Sequence, residues 1–163
     1  MWALLVKILI GSLAILAVMI WAGVSGVLFF IWPTFWPDQK LVVTAATLEQ
    51  LLSLRQQPKF TPNEKLFYHG APYEGRRLAG EKAIDSLLEG LIVGLPHAPR
   101  KSFVLKSFKA VLPKFEPYDS EEKDRTVSYL NEVMDILGIQ SSNELLNVWR
   151  YGFPYGLVLS SKR

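Results

Sequence analysis

Residues 8–32 run for 25 positions without a charge, mostly Ile, Leu, Val, Ala and Phe. No other stretch constrains the chain as strongly. As a helix rising about 1.5 Å per residue it reaches roughly 37 Å, enough to cross a hydrocarbon core of about 30 Å with some tilt. The sequence therefore predicts a single transmembrane helix over residues 8–32. It lies within an anchor and membrane-exit segment, residues 1–37, that precedes a domain of residues 38–163. A cleaved signal peptide carries an apolar region of about 7–15 residues. Here the run continues through Val27-Leu28-Phe29-Phe30-Ile31-Trp32, past the small residues that mimic a cleavage site. Phe29, Phe30, Trp32, Phe35 and Trp36 crowd one end as an aromatic belt, and Pro33 and Pro37 stop the helix there.

The anchor holds only Lys7 of the 18 basic residues and none of the 15 acidic ones, so the remainder carries a net charge of +2. Such a small excess gives no strong phosphate-attracting field, and nucleic acid is not an expected partner. With no cysteine there are no disulfides, thiolate nucleophiles or sulfur-based zinc sites, and the fold must be held by packing.

Beyond a short connector with one strand-like piece, Leu41-Val42-Val43, the pattern is helical throughout. Thr47-Leu48-Glu49-Gln50 reads as a capping box opening a helix that reaches about Gln57, and Thr61-Pro62-Asn63-Glu64 repeats a start signal. A loop from Gly70 to Gly75 leads into a helix with Ile84, Leu87, Leu88, Leu91 and Ile92 on one face. It ends near Gly94 and Pro96. Gly80 and Gly90 inside it mark possible close packing. From Arg100 to Leu112, Val104, Leu105, Phe108, Val111 and Leu112 share an arc with Lys106 and Lys109 opposite, and Phe103 projects toward the lysine side.

Asp119-Ser120-Glu121-Glu122 starts the strongest helix, whose wide apolar face (Val127, Tyr129, Leu130, Val133, Met134, Ile136, Leu137) suggests a central position. Gly138 then Ile139 fits a Schellman close. Ser141-Ser142-Asn143-Glu144 reads as another capping box, opening a short last helix stopped by Gly152. The tail from Phe153 is expected to lie over the core. The expected fold is all-α: a single transmembrane helix followed by a bundle of about five or six helices.

Three segments, Arg100-Lys101-Ser102-Phe103-Val104-Leu105, the run from Tyr129 to Ser142 and Leu145-Leu146-Asn147-Val148-Trp149-Arg150-Tyr151-Gly152-Phe153, resemble the bacterial domain-of-unknown-function family numbered 4844. The resemblance covers about the second half of the domain and excludes the anchor. It implies a small helical bacterial domain and transfers no catalytic residue.

Chemistry-bearing patterns are sparse. His69 and His97 lack metal-ligand spacing, so no metal or cofactor is expected. The acids Glu116, Asp119, Glu121, Glu122 and Asp124 suit the positive end of a helix dipole and lack the spacing of a calcium loop. The basic set Arg100, Lys101, Lys106, Lys109 and Lys114 has no acid among it. It could face anionic lipid or an acidic partner, or be an ordinary solvated face.

Trp149, Arg150, Tyr151 and Phe153 are of types enriched at binding hot spots, and equally of types that close a small core. The sequence thus points to a non-enzymatic, membrane-anchored, protein-binding domain at the bacterial inner membrane, with its domain on the periplasmic side. The partner-binding candidates are Arg100, Lys101, Phe103, Lys106, Lys109, Trp149, Arg150, Tyr151 and Phe153, and the bilayer is engaged through residues 8–32. Alternatives are an envelope enzyme using His69 or His97 with a carboxylate, and a scaffold subunit of a larger membrane complex.

Overall fold

The computed structural model describes residues 2–31 and 38–152; in the first helix side chains are described at positions 2, 7, 9–21 and 23. The exit prolines Pro33 and Pro37, Trp32, Phe35 and Trp36 of the aromatic belt, and the tail from Phe153 lie outside the described residues, as do the side chains of Phe29 and Phe30. The described elements are helical: α1 (Trp2–Ile31), α2 (Ala45–Gln56), α3 (Glu74–Gly94), α4 (Lys101–Val111), α5 (Ser120–Ile136) and α6 (Leu145–Tyr151), with single 3-10 turns at Glu64–Leu66 and Leu112–Phe115. Two isolated antiparallel bridges, Lys40 with Arg100 and Asn63 with Tyr68, are the only β pairing among the described residues.

Helix α1 is continuous for 30 residues, and its apolar side chains from Leu9 to Trp21 are exposed. Among the described residues no helix is long and apolar enough to cross a membrane. At about 1.5 Å per residue, the contiguous described side chains at 9–21 reach roughly 20 Å, short of a hydrocarbon core.

α2 packs on α3, α3 on α4, and α5 receives α2 on one side and α6 on another. Leu51, Ile84, Leu88, Leu91, Leu105, Phe108 and Leu130 between them are fully buried. Each such side chain contributes about 1.5–3 kcal/mol by leaving water.

The helix boundaries follow local hydrogen bonds, and several correct the sequence expectation. α2 starts three residues early because Thr44 is its cap: the Thr44 hydroxyl accepts from the Thr47 N–H and the Thr47 hydroxyl accepts from the Thr44 N–H. The start signal at Thr61 yields only one 3-10 turn. Phe67 adopts φ 51°, and the paired backbone groups of Asn63 and Tyr68 close the chain on itself before a helix can propagate.

α4 stops at Val111 before Pro113, as expected. α5 opens with Asp119 and Glu122 capping each other. It closes as a Schellman motif, with Ile139 N–H on Met134 C=O, Gly138 N–H on Asp135 C=O, and Gly138 at φ 66°. At α6 the expected capping box is absent. Asn143 and Glu144 both lie in the left-handed region, and Ser142 Oγ receives the Leu146 N–H instead.

Of the two glycines flagged inside α3, Gly80 is a packing site and Gly90 is not. A Cβ at Gly80 would stand 2.9 Å from the Phe60 ring, whereas nothing lies within 4 Å of one at Gly90. Phe60 is fully buried at φ 56°. Its ring packs on Phe115 and Tyr129, and its N–H donates to the Tyr129 hydroxyl at 2.9 Å.

Candidate functional site

The start of α4 carries two positive residues at the end where the helix dipole disfavours them. The connector resolves this. Asp38, more than sixty positions earlier, accepts the Ser102 N–H at 2.9 Å and the Arg100 guanidinium at 3.1 Å. Burial acts to raise the Asp38 carboxyl, but the Ser102 and Arg100 bonds outweigh it and hold the group below its usual range.

Lys101 does not belong to a surface patch. It is buried, its ammonium donates to Asn143 Oδ1 at 2.7 Å, and burial lowers its pKa. Phe103 is likewise packed against the core, its ring seated on Gly94 where no Cβ leaves room for it. Lys106 and Lys114 are exposed, while Lys109 is half-buried and its pKa is lowered by burial. The basic face is therefore thinner than its sequence, because two of its cations serve the α4 junction.

The α5–α6 side brings more together. Between these helices lies a hollow of about 310 Å³ lined by Asp124, Asn131, Gln140, Asn147, Arg150 and Tyr151, among others. Arg150 reaches across to Asp124, Nη2 to Oδ2 at 3.0 Å, and its guanidinium lies over the Tyr151 ring. Tyr151 is half exposed, whereas Trp149 packs against the core with its indole N–H buried and unpartnered among the described residues. Phe153 lies outside the described residues.

Asp124 also borders a second hollow, of about 270 Å³, lined by Phe67, Tyr68, Glu121, Asp124, Arg125 and Ser128. None of Phe67, Tyr68, Arg125 and Ser128 stands out in the sequence. Tyr68 flanks a histidine that drew attention instead, and Arg125 follows a run of acids. Phe67 is 88% exposed on its left-handed turn while the adjacent Tyr68 is buried. The Tyr68 phenol is pushed well above its usual range, first by burial and then by the Glu122 charge. Glu122 is itself buried behind the Asp119 cap, 3.7 Å from Arg76, and burial followed by the Asp119 charge raises its carboxyl.

The histidines do not converge. Both are exposed, His69 before α3 and His97 after it, and a helix of 21 residues separates its ends by roughly 31 Å. Among the described residues no three His, Asp or Glu side chains are grouped to hold a metal ion.

A family model described as a domain of unknown function, DUF4844, matches residues 42–154, most of the stretch 38–163 and none of residues 1–37. The match thus extends well upstream of the segments that carry the sequence resemblance. The fold is similar to that of a DUF3571 family protein from Acinetobacter baumannii AYE, with TM-score 0.61 and 22% identity, over 71% of this chain and 96% of that one. No curated protein matches.

Proposed function

We propose a role for this protein from the premise that the chain belongs to the DUF4844 family, a domain of unknown function. It is a non-enzymatic, membrane-anchored domain of the bacterial envelope that binds another protein on the periplasmic side of the inner membrane. The tether is supported by the uncharged run of residues 8–32 within a 30-residue helix whose described apolar side chains face no core.

The binding role rests on the α5–α6 face. There a partly buried Arg150, oriented by Asp124, holds an exposed Tyr151 beside a polar hollow. Tyr and Arg anchors at the edge of a hollow are the side chains on which protein interfaces concentrate binding energy. A photo-crosslinking amino acid at Tyr151 in the full-length protein in cells tests this. A discrete adduct that disappears with Arg150→Glu is expected. No adduct, or the same adduct from the exposed Glu49 on α2, would overturn it.

A further inference from the structure

The hollow beside Phe67 collects hydrogen-bond donors that are only partly used. The Tyr68 hydroxyl is buried and makes no hydrogen bond among the described residues, although the residue is only 6% exposed and borders the hollow. Arg125 lies over the Tyr129 ring at 4.3 Å, giving Nε–H to the Tyr129 hydroxyl and Nη1–H to Ser128 Oγ. No carboxylate is within ion-pair distance of it among the described residues. Ser128 accepts from Arg125 but gives its own proton to no described neighbour. A phenol, a guanidinium edge and a hydroxyl therefore border one hollow, all with protons to give.

Negative charge competes here: Glu121 and Asp124 line the rim, and the Glu122 and Asp119 charges reach Tyr68, with Arg125 opposing them. Asp124 is engaged by Arg150, which leaves Glu121 as the one rim carboxylate without an ion-pair partner among the described residues. Glu121 stands four residues before Arg125, the usual spacing for a helical ion pair. Yet the two form no ion pair among the described residues, and the guanidinium bonds Tyr129 and Ser128 instead. At the mouth, Phe67 offers a ring that is 88% exposed and held out by a left-handed backbone. Strain of this kind at an exposed aromatic persists where the surroundings impose it, here through the Asn63 and Tyr68 backbone pair.

We propose that this hollow binds a carboxylate attached to an aromatic or other apolar group, the carboxylate taking the Tyr68, Arg125 and Ser128 donors and the apolar group lying on Phe67. Arg supplies the forked, charge-assisted recognition that carboxylates favour, and the hollow is large enough for a small aromatic acid. The site is independent of the membrane tether.

The test titrates the full-length protein, in nonionic detergent at fixed ionic strength, with benzoate and with its neutral isostere benzamide. Binding is followed by chemical shifts at Phe67, Tyr68, Arg125 and Ser128. Benzoate is expected to shift these signals and saturate, and benzamide is expected to bind about tenfold more weakly or not at all.

Tyr68→Phe should keep or raise thermal stability, since it deletes an unsatisfied hydroxyl, while weakening benzoate about tenfold; Glu121→Gln should tighten it. Arg125→Lys retains the charge but loses the fork, and is expected to weaken binding as well. No saturable shift, equal binding of benzamide, or unchanged benzoate affinity in both Tyr68→Phe and Arg125→Lys would overturn the proposal. N-acetylphenylalanine, compared with its amide, separates the two sources of such a group: binding much tighter than benzoate indicates a polypeptide C-terminus, and equal binding a free acid.

Discussion

At the scale of single residues, the least expected side chain is Lys59. It is fully buried, and its ammonium donates to the carbonyls of Arg55 at 3.0 Å and Gln57 at 2.7 Å. Asp85 Oδ1 lies 2.7 Å away as a charge contact without hydrogen-bond alignment. The lysine thus caps the C-terminal end of α2, where a positive charge complements the dipole, and ties that end to α3.

Its sequence surroundings, Pro58 and a break in periodicity, say that α2 ends but not that a cation turns inward. Lys59→Ala is expected to lower stability by about 3 kcal/mol, read from the urea midpoint, because it leaves two part-buried carbonyls at the end of α2 and a half-buried carboxylate without their partner. Lys101 was more legible. It falls on the arc of Leu105 and Phe108 at i+4 and i+7, and that spacing alone would have placed it on the buried side.

At the scale of elements, the periodic helices α3, α4 and α5 lie close to where their apolar spacing predicts them. The differences gather at starts and stops, where a single side chain decides. α2 begins at Thr44 rather than Thr47 because two threonines cap each other. α6 begins with left-handed residues rather than a capping box. α4 is capped by Asp38, which no local pattern can reveal since its partner is some sixty residues away.

Asp38 also gives a pH prediction. Its folded pKa is lowered, so its contribution is present above the ordinary carboxylate pKa and is lost as pH falls through the folded value. Asp38→Ala should therefore destabilise by about 1 kcal/mol near neutrality, with the difference from wild type vanishing in thermal melts once the pH falls below the lowered folded value. Glu122 works in the opposite sense. Its pKa is raised, so its contribution is present below the ordinary carboxylate value and is lost as pH rises through the folded value.

At the scale of the whole molecule, a helix whose one charged residue is Lys7 precedes a helical domain that belongs to one family along most of its length. If residues 8–32 span a bilayer as proposed, the full-length protein should remain in the membrane fraction through alkaline carbonate extraction. An alkaline phosphatase reporter at its C-terminus should then be active, reporting a periplasmic domain. Release by carbonate would remove the anchor from the proposal, and an inactive reporter would reverse its side. Replacing residues 8–32 with an unrelated transmembrane helix separates tethering from assembly: retained function is expected of a tether, and lost function would favour the scaffold reading.

What the sequence determined by itself was local and periodic: the uncharged run, the all-helical class, the Schellman close at Gly138 and the family. Each depends on residues within a turn or two of one another, or on a composition that needs no partner. Tertiary structure alone decided the rest. It buried Lys59 and Lys101, seated Phe103 on Gly94, turned Asp38 into the cap of a distant helix and gathered Tyr68 with Arg125 and Ser128 around one hollow. These arrangements depend on approaches between segments far apart in the chain, where the cost of burying a polar group is settled by whichever partner the fold delivers.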